Sequence, residues 1–158
     1  MNYRRLFIIR KDLNMSAGKL AAQLSHCAEQ YWLNLIRKNA STNNQEDLPP
    51  GLMIRKETEI INYSVEFDID KEMFENYING GITKTVCAAK NKYQLLKAVE
   101  YAKDLELTED VDFGLIFDAC HTELIPEEEN GTCLTGIWFK PLPDEIAQKI
   151  SRKYQLYK

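Results

Sequence analysis

The stretch "MSAGKLAAQLSHCAEQYW" at residues 15–32 sets a lysine, a glutamine and a histidine at positions 19, 23 and 26. On a helix the spacings i, i+4 and i+7 put Lys19, Gln23 and His26 on one face within its first two turns, beside an apolar stripe of Leu20, Leu24, Cys27 and Tyr31. A cation there adds to the anion-favouring field of the free N–H groups at a helix start. Taken singly, each residue also has a plainer reading: a solvated lysine, a surface glutamine, a hydrogen-bonded core histidine. The Gly18-Lys19 pair is not a phosphate-binding loop, because Leu13 stands where its first glycine belongs and Leu20 replaces the Ser or Thr that would hold magnesium. Nucleotide hydrolysis is excluded. A second set lies in "FDACHTEL", with Asp118, Cys120, His121 and Thr122. A Cys120 thiolate with His121 as base is disfavoured, since adjacent residues of an extended segment point to opposite faces. A zinc site from His26, Cys120, His121 and Cys133 would need ligands without zinc spacing to meet by accident.

These residues need elements to carry them. "YRRLFIIRKD" is a short apolar run ending in charges, the profile of a strand buried on both faces. The helix after it is capped by Asn14 or Ser16 and ends near "RKN". "STNNQEDLPPG" reads as a loop, and the span from about 52 to 68 as an irregular hairpin. Asp70 can cap a short helix that stops at Gly80-Gly81. "ITKTVCAAK" and "VDFGLIFDA" read as strands flanking a helix with Leu95, Leu96, Val99 and Ala102 inward, a βαβ unit that makes the two strands parallel members of one sheet. "TCLTGIWF" supplies a fourth strand, and "PLPDEIAQKISRKY" a terminal helix opened by Pro143 or Asp144. The expected architecture is a single α/β domain, a central mixed sheet of about four strands with helices on both faces. Chemistry in such sheets gathers at the carboxyl ends of the strands, here the turn after residue 10, Lys90 with Asn91, and "DACHTE".

Bulk properties narrow the class further. A chain of 158 residues suits one domain, and no apolar run is long enough to cross a bilayer. "MNYRR" passes directly into "LFII" and "RKD" without a secretory h-region, so the expectation is a cytoplasmic protein. Four cysteines without a CxxC pair read as reduced thiols. A net charge of −4 argues against coating nucleic acid through bulk charge, yet basic residues gather at Arg4, Arg5, Arg10, Lys11 and Lys19 and again at Lys84, Lys90 and Lys92. Trp32 and Trp138 could stack on a base, but large aromatics on core elements more often pack.

The run "DLNMSAGKLAAQLSHCA" resembles the signature of the peptidyl-tRNA hydrolases common to archaea and eukaryotes, through Asp12, Leu13, Met15, Gly18, Lys19, Ala21, Ala22, Gln23 and His26. "GGITKTVCAAK" is similar to the family's strand entered by a glycine and a lysine, here Lys84; "FDACHTEL" matches its strand end at Asp118, Ala119 and Thr122; "GTCLTGIWFKPLP" resembles its last strand. The chain departs from the pattern in an atypical insertion at about 40–68, in Cys120 for glycine and in Glu123 for glutamine. The family's threonine before the last strand corresponds to Thr132 or is replaced by Cys133, and the acidic "PEEEN" beside it would repel a phosphate backbone.

The resemblance implies hydrolysis of the ester joining a peptide to the terminal ribose of tRNA, without metal or organic cofactor, by a homodimer with peptidyl-tRNA as its partner and no membrane. Such chemistry needs an oriented water, help removing its proton, and donors where the carbonyl oxygen becomes negative. Carried over by motif, Asp118 orients or deprotonates water, Lys19 tunes that carboxylate and stabilises the oxyanion or a phosphate, and Thr122 supplies a hydroxyl donor. His26 and Gln23 hold the terminal adenosine or the ester, and Lys84, Lys90 and Lys92 meet phosphates, with Thr132 a further substrate contact. The departures leave a second reading, a non-catalytic adaptor on the same fold that binds tRNA or protein, and a third, hydrolysis of another acyl ester or amide.

Overall fold

The structure, a computed structural model, describes residues 2–42 and 63–158. Strand β1 (Tyr3–Arg10) is buried from Arg5 onward, as a run without polar alternation requires. Its Leu6 and Ile8 join one core cluster and its Phe7 and Ile9 another, so the sheet is covered on both faces. Helix α1 (Ala17–Asn39) covers the second face with Cys27 and Tyr31, and Ser16 caps it by accepting from the Lys19 N–H. Strands β2 (Ala40–Thr42) and β3 (Tyr63–Val65) form a separate antiparallel ribbon. The expected loop from residue 41 thus begins as strand, while most of the expected 52–68 hairpin lies outside the described residues.

Asp70 caps α2 (Lys71–Met73) through the Met73 N–H, and the chain continues as a π-helical segment, Phe74–Gly81. That segment stops at the glycine pair, yet the left-handed residue is Ile82, at φ +41°, rather than either glycine. Strand β4 (Lys84–Ala89), α3 (Lys92–Asp104) and β5 (Phe113–Asp118) follow. On α3, Leu95, Ala98 and Ala102 are buried; Leu96 faces outward because the core stripe steps through Ala98 instead. Then come β6 (Cys133–Phe139), β7 (Leu142–Pro143), α4 (Asp144–Ser151) and β8 (Gln155–Leu156).

The sheet order is β5-β6-β1-β4-β8, with β7 pairing separately with β1. It has six strands where about four were expected, because β7 and β8 are two-residue pieces too short to leave a hydrophobic pattern. Strand β1 is parallel to β4 and antiparallel to β6, which is antiparallel to β5. Hence β4 and β5 run parallel, as the βαβ reading required, with β6 and β1 between them. The carboxyl ends of β1, β4 and β5 therefore lie along one edge.

Two contacts draw α1 onto the sheet. At Gly136 a Cβ would stand 2.6 Å from Ile9 Cδ1 and 3.2 Å from the Ile8 carbonyl, so glycine fits β6 closely against β1 there, with Cys27 Sγ of the helix at an ordinary contact distance of 3.5 Å. The buried Arg5 guanidinium donates to the carbonyls of Cys27 (3.0 Å), Ala28 and Phe139 (3.0 Å) and lies 5.0 Å from the Phe7 ring centroid. Arg5 was expected in a surface basic group; it is instead an internal tie between helix and sheet.

Candidate active site

Helix α1 and the end of β5, about a hundred residues apart in sequence, meet at one cluster of side chains. Lys19 Nζ lies 2.7 Å from Asp118 Oδ2 and donates to Thr122 Oγ1 at 3.2 Å. Gln23 Nε2 donates to the same Asp118 oxygen at 2.8 Å, and the Cys120 N–H donates to Oδ1 at 2.9 Å. Behind them the buried Thr135 hydroxyl is 2.6 Å from Gln23 Oε1 and 3.2 Å from the Ile116 carbonyl. Because the amide oxygen of Gln23 accepts from Thr135, its NH₂ is turned toward the carboxylate.

Thr135 is the member that sequence reading missed. Pairing between β5 and β6 steps from Ile116↔Gly136 to Phe117↔Leu134, leaving Thr135 as the extra residue of a bulge. A bulge re-aims a side chain without changing residue type, so only the neighbouring glycine hinted at it. Thr132, expected to contact substrate, turns to Asn130 (2.7 Å) and accepts the Glu127 and Glu128 N–H groups, closing its own loop.

The electrostatics follow from these partners. Burial pushes the Asp118 carboxyl up, but the bonds from Lys19, the Cys120 N–H and Gln23 outweigh it, and its pKa lies below the ordinary aspartate value. Asp118 is thus a carboxylate at neutral pH, held by three donors, two on Oδ2 and one on Oδ1. Lys19 has three N–H bonds, and Asp118 and Thr122 take two. Thr122 accepts from Lys19, so its own proton remains to be donated outward.

The departures in this region have structural uses. Cys120 adopts φ +57°, the left-handed region that suits glycine, and this conformation aims its N–H at Asp118. Burial and the Asp118 charge raise its thiol pKa, the opposite of an activated nucleophile. Burial likewise pushes the Cys133 thiol up to about 11. Among the described residues, no group of three or more His, Cys, Asp or Glu is placed to hold a metal. Glu123 accepts from the Ser16 N–H at 3.0 Å and from its hydroxyl, putting a carboxylate on the start of α1.

The loop "PEEEN" is less repulsive than its composition suggests. Glu127 binds the buried Arg10 at 2.5 and 3.0 Å, Asp12 binds the same guanidinium at 2.7 and 3.1 Å, and Glu128 pairs with Lys92. Arg10, expected in a basic group, and Lys92, expected to face phosphates, are therefore occupied. Lys84 sits at the opposite end of the sheet from Asp118, at the start of β4, with its ammonium on the Ile82 carbonyl at 3.1 Å. His26 is exposed on α1 and lines a cavity of about 850 Å³ whose lining does not include Lys19, Gln23, Asp118 or Thr122.

Residues 3–157 match the family described as peptidyl-tRNA hydrolase PTH2. The chain belongs to that family. Among relatives it is similar to the peptidyl-tRNA hydrolase of Thermococcus onnurineus, 27% identical over 154 residues, covering 98% of this chain and 97% of that one. The Sulfolobus acidocaldarius peptidyl-tRNA hydrolase is 28% identical over 149 residues, 94% of this chain and 95% of the relative. The human peptidyl-tRNA hydrolase 2, mitochondrial, is 25% identical over 155 residues; the match covers 98% of this chain but 64% of the human protein. The cluster brings together Lys19, Gln23, Asp118 and Thr122, four of the residues on which the resemblance to this family rests.

Proposed function

We propose that this chain hydrolyses the ester between a peptide, or an N-blocked aminoacyl group, and tRNA. The observation that carries the reading is the convergence of Lys19, Gln23, Asp118 and Thr122 at one strand end in a chain of this family. Asp118 Oδ1 accepts one proton of the attacking water and orients its lone pair to the ester carbon. With its pKa held low, Asp118 directs the water and does not keep its proton, which passes to the ribose oxygen as the carbonyl C–O bond of the ester breaks and the peptide leaves as its acid. The third N–H of Lys19 and the Thr122 hydroxyl donate to the carbonyl oxygen as it becomes negative. Gln23 and Thr135 hold the carboxylate in the orientation this requires.

The tRNA meets the same sheet edge farther along. Lys11, Lys90, Arg152 and Lys153 surround a recess of about 260 Å³ whose lining contains no carboxylate. It lies at the ends of β1 and β4, roughly three strand spacings, or about 14 Å, from β5. That is the length of about four stacked nucleotides. The recess suits the backbone phosphates leading to the ester better than Lys84 does. Assembly as a homodimer and residence in the cytoplasm are part of the proposal; the four free cysteines suit a reducing compartment. No helix among the described residues is long and apolar enough to cross a membrane.

The test is release of an N-acetyl-aminoacyl group from tRNA, with wild type beside Lys19→Ala and Asp118→Asn. Loss of a donor at the oxyanion lowers kcat about 10²–10³-fold, and the KM-limited rate falls steeply with added salt. Wild-type turnover no faster than that of either variant would replace the hydrolase by a binding protein on this fold.

A further inference from the structure

A groove of about 850 Å³ starts beside the Lys19–Asp118 cluster without including it. Its lining begins at His26, three residues past Gln23 on α1, and at Phe117, one residue before Asp118 on β5. Along α1 it follows His26, Gln30, Asn34 and Lys38, a single ridge with a step of four residues. Along β5 it touches Leu115, Ile116 and Phe117 in succession. Consecutive strand residues point to opposite faces, so a cavity lined by all three runs along the strand's open edge rather than over one face. The topology agrees, for among the described residues β5 ends the sheet on that side.

The walls carry Arg37, Lys38 and Lys140 against Asp68, Asp110 and Asp112, three cations and three carboxylates, with Lys140 and Asp112 paired at 2.6 Å. A polyphosphate backbone gains nothing from such a balanced groove, and the unbalanced cations lie at the recess by β4. A peptide suits it: an open strand edge offers backbone hydrogen bonds, the α1 ridge offers amides, and Phe117 (48% exposed) and Val111 (53% exposed) offer apolar contact.

We propose that this groove holds the peptide portion of the substrate in extended form, parallel to β5. Strand β5 runs toward Asp118, so a parallel peptide brings its last carbonyl, the esterified one, to the Lys19–Asp118 cluster. The inference rests on the hydrolase reading for what the peptide is attached to. From His26 to Lys38, α1 advances about 18 Å, room for about five extended residues. The groove thus confers a preference for longer peptides that levels off near five.

The experiment uses tRNA carrying N-acetylated peptides of one, three, five and seven residues, with wild type, Asn34→Trp, which fills the groove, and Phe117→Ser, which removes apolar surface at its mouth. In wild type kcat/KM rises about tenfold from one residue to five, the equivalent of burying one or two partly covered apolar side chains, and then stays level. Both variants hydrolyse the one-residue substrate within about twofold of wild type and lose the gain with length. A flat wild-type series, or an equal loss by Asn34→Trp at every length, overturns the groove assignment while leaving the hydrolase intact. Inactivity of wild type on the whole series overturns the hydrolase instead. Binding of a free N-acetylated pentapeptide, followed by amide chemical shifts, then still reads the groove: shifts along β5 that Asn34→Trp abolishes support it, and shifts elsewhere or none overturn it.

Discussion

Replacing Lys19 by methionine keeps the stem and removes the charge, the one ion-pair partner of Asp118 among the described residues. The two side chains are 13% and 9% exposed and 2.7 Å apart, which places the pair nearer the buried limit than the surface one. Breaking a buried pair from one side costs about 3–5 kcal/mol. Here Gln23 and the Cys120 N–H stay on the carboxylate, so the lower end, about 3 kcal/mol, is expected for Lys19→Met. In a cycle with Asp118→Asn and the double variant, urea unfolding at pH 7 should return a coupling of about 2–3 kcal/mol. The pH dependence has a definite sign. Asp118 has a folded pKa below its ordinary value, so its contribution is complete above the unfolded pKa of about 3.9 and is lost as pH falls through the folded value. The coupling should therefore hold from pH 7 to about pH 4 and shrink only beneath that. A value under about 0.5 kcal/mol at pH 7, typical of exposed pairs, would refute the reasoning. So would a coupling that already fades between pH 7 and 5, because that requires a raised carboxyl pKa.

Two further predictions concern residues around that pair. Thr135→Val keeps the shape but strips the donor from the buried Gln23 Oε1, costing about 1–3 kcal/mol and lowering Tm by at least about 3 °C; Thr135→Ser should restore much of both stability and turnover. Equal turnover in Thr135→Val and wild type would remove Thr135 from the positioning network. Cys120→Gly relieves a left-handed residue at φ +57°, and after the extra backbone entropy of glycine a gain of about 0.5–1 kcal/mol remains. Calorimetry that shows an unchanged or lower Tm would mean that packing of the Cys120 side chain outweighs the strain.

Much of the site was legible because its members sit at fixed spacings within single elements. Lys19 and Gln23 share a helical face whatever that helix packs against, and Asp118 ends a strand whose apolar run is plain in "FGLIFD". His26 shows the limit of that reasoning. It follows Gln23 by three residues, yet the helix turns it past the cluster and onto the groove. The same limit covers Arg5 and Arg10: their neighbours in sequence say nothing about the helix carbonyls and the distant Glu127 that bury them.

What the sequence by itself determined is the four long strands and the main helices, the polar line on the first helix and the resemblance that names the chemistry. These are local properties, fixed by period and residue type. Only the tertiary structure decided that Thr135 braces Gln23 while Thr132 closes its own loop, that Lys84 lies at the far end of the sheet, and that Glu127 and Glu128 of the acidic loop pair with Arg10 and Lys92. Each of those depends on strand register and on contacts between residues many positions apart. A one-residue bulge between β5 and β6 changes which side chain reaches the site while leaving the hydrophobic pattern of both strands almost the same.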